Sequence, residues 1–324
     1  MRRTARTGSP TSAWFVADRS AIGQPAPVAA LGTFDHDTAV RERRRSENRE
    51  QLAQVEFAAD ISPDWRAGRG PHGGYIAAML MRALIETVAD PLRAPRSLTI
   101  HYARAPQPGP VTILVGVERA GRSLSTLSAR MEQDGKLITL ALAAFSVPWS
   151  AQEVLELPMP DVAPADPVRR PGVPLFAGAP PFTRHIVVQG RTGAVPFSGS
   201  DAPMEIGAWL GLAEPRMIDP ISLAFFSDAL FSPPFIRLAD RATTPTIDLT
   251  VHFRTPLPPA HATGGGAHDG DVSSGLPLDQ LCFARFRSGL IQDGFFEEDG
   301  VIWAADGTVL AQSRQLGIVM TLPS

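Results

Sequence analysis

A chain of 324 residues with 44% apolar and 19% charged side chains is long enough for two domains of about 100–200 residues, each with a substantial core. Its net charge of −3 supplies no basic field, which excludes nucleic acid as an expected partner, and no apolar run reaches the ~18–20 residues of a membrane span. The single cysteine, Cys282, lies between Leu281 and Phe283 and reads as a buried structural thiol, in keeping with a reducing, cytoplasmic setting.

The first residues run from Met1-Arg2-Arg3 to a small-residue stretch at 26–30. Their apolar cluster Trp14-Phe15-Val16 is broken by Asp18 and Arg19. An export signal needs a continuous apolar stretch of roughly 7–15 residues. Residues 1–31 therefore read as a flexible extension, or as the product of a start codon placed too early.

A first unit spans 32–147. Strands are predicted at 34–40 and 55–61, with the charged stretch 42–51 as a loop or short helix. A helix follows over 74–88. There Tyr75, Ile76, Met79, Leu80, Ala83, Leu84 and Val88 recur at helical spacing, while Arg82 and Glu86 mark the wetter side. Strands come next at 97–104, 111–120, 123–133 and 137–147, the last two joined by a Gln133-Asp134-Gly135 turn. Residues 148–182 carry prolines from Pro148 to Pro181, which remove amide donors and fix φ, so this is an extended linker.

The second unit, 183–324, opens with strands near 183–188 and 205–212. Its helix, about 220–230, starts with Asp219 as N-cap and Pro220 in the first helical position. Strands follow at 246–254, 281–288, 294–304 and 309–320. Between the first two of these lies an inserted loop, 256–279, containing Gly264-Gly265-Gly266.

The two units repeat one another. Leu98-Thr99-Ile100-His101-Tyr102 recurs as Leu249-Thr250-Val251-His252-Phe253, an offset of 151. Asp134-Gly135-Lys136-Leu137-Ile138 resembles Asp306-Gly307-Thr308-Val309-Leu310, an offset of 172, and the inserted loop accounts for the difference. One helix followed by an antiparallel sheet, twice over, is an α+β pattern. A helix apolar around most of its circumference suits one wrapped by a curved sheet, so the expected architecture is a double hot dog.

The common catalytic signatures are missing: there is no G-x-S-x-G elbow, no phosphate-binding loop, no H-E-x-x-H and no cysteine cluster. Seven scattered histidines without ligand spacing give no metal site, and no cofactor is expected. What remains resembles the acyl-CoA thioesterase II family. The resemblance is carried by Pro71-His72-Gly73-Gly74-Tyr75, the Leu-Thr-Ile-His-Tyr strand, Gly121-Arg122-Ser123-Leu124-Ser125 and the Gln133-Asp134-Gly135 turn. In the second unit it is carried by Ser227-Asp228-Ala229-Leu230, Thr246-Ile247-Asp248 and Ser313-Arg314-Gln315. The resemblance implies hydrolysis of acyl-CoA by a water that Asp228, Thr246 and Gln315 activate, Asp228 taking its proton.

Each residue also has a plainer reading. Asp228 sits among Phe225, Phe226, Leu230 and Phe231, where an unpaired carboxylate is costly, or else on the helix's solvated outer edge. Alternation puts Ile247, Leu249, Val251 and Phe253 on the core face, which turns Thr246 away unless the strand starts irregularly or the site lies between the units. Asp248 is the reserve carboxylate. Gln315 alone reads equally well as a polar residue on a solvated face.

At matching offsets the first unit has Ala143 for Gln315 and Pro95 for Thr246, so one competent trio per chain is expected. Gly73 and Gly74 expose backbone N–H groups at a helix start, able to hold a thioester carbonyl or simply to make a tight turn. His72 either polarises substrate or caps the helix, and the repeated His101 and His252 point to structure. Arg104, Arg122 and Arg314 are candidates for the CoA phosphates by position in the resemblance. Exposed sheet edges favour a homo-oligomer. The alternatives are a hot dog 3-hydroxyacyl-CoA hydratase or dehydratase, and a non-catalytic acyl-CoA binder.

Overall fold

The structure, a computed structural model, describes residues 33–46, 53–68, 70–167, 179–257 and 280–322. The expected extension 1–31 lies outside the described residues, as does the expected insertion beyond residue 257.

The first half consists of helix α1 (Phe34–Asp37), strands β1 (Arg41–Ser46), β2 (Gln54–Ile61), β3 (Arg66–Ala67) and β4 (Gly70–Pro71), and helix α2 (Gly73–Val88). Strands β5 (Ala94–Tyr102), β6 (Gly109–Ala120), β7 (Leu124–Gln133) and β8 (Lys136–Ser146) complete it. The second half has β9 (Ile186–Thr192), β10 (Glu205–Leu212), helix α3 (Pro220–Phe226), β11 (Ala242–Thr243) and β12 (Thr246–Phe253). It ends with β13 (Cys282–Arg287), β14 (Ile291–Gln292), β15 (Phe295–Ala304), β16 (Val309–Ile318) and β17 (Met320–Thr321).

One large sheet runs β1-β2-β6-β7-β8-β5-β12-β16-β15-β13-β10-β9, with β14 added beside β15. All its pairings are antiparallel, and its middle is the β5–β12 ladder, where the two copies of the repeated strand meet. Thr99 and Thr250, equivalent residues of the two copies, share a 3.1 Å hydrogen bond across that ladder, so the local two-fold relation passes between them. The result is a double hot dog whose concave face holds both helices.

Alternation explains the strands. In β7, Leu127, Ala129 and Met131 are buried, while Ser128 and Arg130 face out. Helix α2 is buried on nearly every side, including the guanidinium of Arg82, which donates to Asp35 Oδ1 at 2.7 Å and to Thr38 Oγ1 at 2.9 Å. Trp65, Tyr75, Phe34 and Phe225 pack edge and face with ring centroids 5.3–5.6 Å apart, joining α1, α2 and α3. Each such fully buried ring contributes roughly 1.5–3 kcal/mol of transfer free energy.

Several expected elements differ. The predicted strand at 34–40 is one turn of helix, because the Thr33 side chain accepts from His36 N and caps it. The charged stretch after it is strand β1 from Arg41 to Ser46. It lies at the sheet's edge, exposed along its whole length, so no burial period marks it, and its charges guard an open edge. The strand expected at 183–188 starts later, at Ile186, after a 3₁₀ turn over Pro181–His185. Helix α3 does open with Asp219, whose carboxylate and backbone form a reciprocal capping box with Ser222. It ends at Phe226 rather than 230, since Ser227 Oγ turns back to the Leu223 carbonyl and the next amides make tighter bonds three residues back.

Of the proline-rich stretch, residues 148–167 form neither helix nor strand, and its described end runs into the 3₁₀ turn at Pro181. Its Leu157, Met159, Val162 and Ala165 pack on Trp209, Leu281, Phe283 and Trp303. The indole nitrogens donate to it, Trp209 Nε1 to the Ala163 carbonyl at 3.0 Å and Trp303 Nε1 to the Leu157 carbonyl at 3.1 Å. Cys282 is buried, and burial pushes its thiol far above the ordinary cysteine range. Among the described residues no helix is long and apolar enough to cross a membrane.

Candidate active site

The polar groups of the second half meet the start of α2 from the first. Asp228, in the turn after α3, accepts a 2.9 Å hydrogen bond at Oδ2 from the backbone N–H of Gly74. His72, the N-cap residue of α2, makes no capping bond of its own. Asp228 takes that place from 154 residues away, its negative charge set against the positive end of the helix. His72 Nε2 lies 3.6 Å from the same oxygen.

Close approach explains the two glycines. A Cβ on Gly73 would lie 2.8 Å from Asp228 Oδ2, and one on Gly74 would lie 2.5 Å from the Phe225 carbonyl oxygen. The need is space between two helices rather than a special backbone angle. Tyr102, at the end of β5, donates to the Gly73 carbonyl at 2.9 Å and holds this turn from below.

A bulge resolves the facing of Thr246. The β12–β16 register shifts between Thr246 and Asp248, so Thr246 pairs with Gly317 and Leu249 with Gln315. Thr246 thereby joins Gln315 on the core side, and its Oγ1 donates to Gln315 Oε1 at 2.8 Å. Asp248 is left on the other face, opposite Leu316 and His101. The first half has the same bulge, between Pro95 and Ser97, opposite the end of β8.

Gln315 is 4% exposed and faces inward. Its amide nitrogen donates to Glu298 Oε1 at 2.7 Å and points at Asp228 Oδ1 at the long distance of 3.5 Å. The chain of contacts is thus Thr246, Gln315, then two carboxyl groups. Asp228 is the more open of these, with 16% of its side chain exposed.

Burial dominates the titration of the neighbours. It pushes the Glu298 carboxyl up to about 8, and the nearby Asp228 and Asp299 add to the rise against the opposing bond from Gln315. Burial also holds the His72 imidazole below its usual range, although the Asp228 charge works the other way, so His72 is neutral at pH 7. The Tyr102 phenol is raised well above its ordinary value by burial and then by Asp228. Phe182 and Phe225 pack on the His72 ring at 4.0 and 5.3 Å, and His72 Nδ1 is buried without a hydrogen-bond partner among the described residues.

The structure therefore gathers His72, Gly73, Gly74, Asp228, Thr246 and Gln315. Arg104 and Arg122 are not in that cluster. Arg104 is exposed and donates to the Leu137 carbonyl at 2.9 Å, and Arg122 is exposed in the turn between β6 and β7. Arg314 faces out, 3.3 Å from Asp299, and His101 and His252 are exposed.

Two residues escape the sequence reading. Glu298 carries a legible signal, since alternation from Phe296 through Gly300 and Ile302 puts it on the buried face of β15. Tyr102 stands where the second copy has Phe253, so the two copies of the repeat differ there by a hydroxyl. Among the described residues, no group of three or more His, Cys, Asp or Glu is disposed to hold a metal ion.

Comparison with known proteins agrees with this layout. The family profile for the acyl-CoA thioesterase N-terminal domain matches residues 61–146, and that for the C-terminal domain matches 158–319. An uncharacterized protein of Mycobacterium tuberculosis is 22% identical over 291 residues, covering 81% of this chain and 90% of its own length. A conserved hot dog protein of unknown function from Alicyclobacillus acidocaldarius superposes with a TM-score of 0.69 at 24% identity, over 90% of this chain and 98% of that one. An acyl-CoA thioesterase II from Mycobacterium marinum gives 0.61 at 19% identity, over 90% and 99%. With both matched domains in tandem and together spanning most of its length, the chain belongs to the acyl-CoA thioesterase family and is a thioester-hydrolysing enzyme.

Proposed function

We propose that the protein hydrolyses acyl-CoA to a free acid and CoA, with Asp228 as general base toward a water held by Thr246. The observation that carries this reading is the direction of one hydrogen bond. Thr246 gives its proton to Gln315 Oε1, which leaves the threonine oxygen as an acceptor. A water donating one hydrogen there and the other to Asp228 has a lone pair free for the thioester carbon.

The water oxygen attacks that carbon while its proton passes to Asp228. The tetrahedral intermediate then collapses, the carbon–sulfur bond breaks, and the departing thiolate takes up the proton that Asp228 had accepted, which restores the carboxylate. Gly74 N–H is engaged by Asp228, so the N–H of the half-buried Gly73 is the backbone donor proposed for the oxyanion at the helix start. Neutral His72, packed between phenylalanines, sets Asp228 from behind. Arg104 and Arg122 stay in the reading as outlying candidates for the CoA phosphates, and Leu140 and Leu142, exposed on the outer face, support the expected self-association.

The test is thiol release across a series of acyl-CoA chain lengths. Asp228→Asn is expected to lower kcat by at least ~10²-fold; full turnover in that variant sinks the assignment. Hydration of an enoyl-CoA is the second reading, favoured by the approach of His72 to Asp228 at 3.6 Å. Loss of the enoyl chromophore without thiol release selects it.

A further inference from the structure

The trio leaves one buried ionisable group unexplained. Glu298 sits on the inward face of β15, 4% exposed, directly across the ladder from Gln315. The corresponding place in the first half is apolar. There Ala143 pairs with Leu98 as Gln315 pairs with Leu249, and its neighbour on β7 is Leu127. A hot dog of this chain thus folds well with a leucine at that position. The carboxyl goes with the half that has the polar site.

Its placement constrains the Gln315 amide. That amide has one oxygen and one nitrogen, and its two ends face different groups. The Thr246 hydroxyl lies at 2.8 Å from the oxygen, and Glu298 and Asp228 lie at 2.7 and 3.5 Å from the nitrogen. Turned over, the amide would aim its oxygen at the carboxylate of Asp228 and remove the acceptor that Thr246 uses. The bond to Asp228 alone is too long to hold the orientation. The short bond to Glu298 is the one that does.

We propose that Glu298 is a positioning residue: its carboxyl takes one hydrogen of the Gln315 amide and so fixes the amide oxygen toward Thr246 and the nitrogen toward Asp228. This rests on the hydrolytic reading of Asp228, Thr246 and Gln315. The role needs an acceptor at Oε1 and no charge: in the neutral carboxyl that oxygen is the carbonyl one and the proton sits on the other. Burial, with Asp228 from the turn after α3 and Asp299 from its own strand, keeps the Glu298 carboxyl protonated up to about pH 8. Asp299 is in turn offset by Arg314 of β16 and faces Arg287 of β13, while neutral His72 and Tyr102 flank Asp228 from α2 and β5. When Glu298 ionises it places a second negative charge near Asp228, opposing the oxyanion that forms on the substrate, so turnover declines.

The experiment measures kcat and KM for thiol release from an acyl-CoA over pH 6–9.5. It uses the full-length chain as wild type, Asp228→Asn, Glu298→Gln and Glu298→Leu. Glu298→Leu, the first half's own residue, is expected to lower kcat at least ~10-fold with KM within about twofold, since a misaimed amide misplaces the water. Glu298→Gln keeps an acceptor for the amide, so most of kcat returns while the decline near pH 8 disappears. Equal kcat in Glu298→Leu and wild type overturns the proposal, as does a decline that persists in Glu298→Gln. Should Glu298→Leu not fold, the pH profile of Glu298→Gln decides alone. Loss of turnover in Asp228→Asn upholds the hydrolytic reading whatever Glu298 does, whereas full turnover there removes both.

Discussion

At the scale of single residues, Asp228 has one observed role and one proposed role, and substitution separates them. It caps α2 from the other half of the molecule and it faces the proposed water. Asparagine caps a helix as well as aspartate does, so Asp228→Asn should leave the urea midpoint almost unchanged while turnover collapses. Asp228→Ala should lose the cap as well, at a cost of about 1 kcal/mol in the same denaturation experiment. Glu298 gives a prediction of opposite sign to that of an ordinary surface carboxyl. Its folded-state value, about 8, lies above the unfolded one, so the folded chain binds the extra proton between those values. Stability tied to that proton is complete below the unfolded value near pH 4–5 and is lost as the pH rises toward 8. A melting-temperature series from pH 5 to 8 should therefore slope downward in wild type and flatten in Glu298→Gln.

At the scale of elements, the proline-rich stretch acts as a strap over the outer face of the second half. Trp209 and Trp303 stand on an outward face where large aromatic groups would otherwise meet water, and residues 157–165 cover them. Trp303→Phe keeps the ring and removes the bond to the Leu157 carbonyl. A loss of about 1 kcal/mol is expected, with faster proteolytic cleavage within 148–167 and little change in kcat. Unchanged cleavage would show that packing alone holds the strap. Strand β1 teaches a related lesson. Its six residues are exposed, so it is held by backbone pairing with β2, and neither hydrophobic period nor propensity announces it. The short α3 is legible at its start, where Asp219, Pro220 and Ser222 make a cap, and illegible at its end, where the turn is fixed by what Asp228 reaches.

At the scale of the molecule, several ties make the halves one body, among them the β5–β12 ladder, the aromatic packing of Phe34 and Trp65 on Phe225, the Asp228 cap on α2, and a cluster around Asp35. Asp35 receives Arg82 from α2 at 2.7 Å and Arg216 from the approach to α3 at 2.9 Å. Burial opposes its charge, but the two guanidinium groups outweigh it and hold the carboxyl below its ordinary range. The tie is therefore present above the unfolded carboxylate value and lost as the pH falls through the lower folded one. Asp35→Asn should lower the melting temperature at pH 7 and narrow the gap to wild type below about pH 4. A gap that stays constant into acid would remove Asp35 from this account. The sequence by itself determined the duplicated helix-and-sheet unit and nearly all of the long strands, because hydrophobic period, caps and repeats are local properties of the chain; it singled out Asp228, Thr246 and Gln315 only through the resemblance to a family. Only the tertiary structure decided that Thr246 faces the core through a bulge, that Asp248 does not, and that Asp228 completes a helix 154 residues away. Register shifts and contacts between distant segments are set by how the sheet closes around its helices, and no local pattern carries them. The repeat shows both limits at once: two copies of one strand pair across the centre, and the candidate site lies where the copies differ.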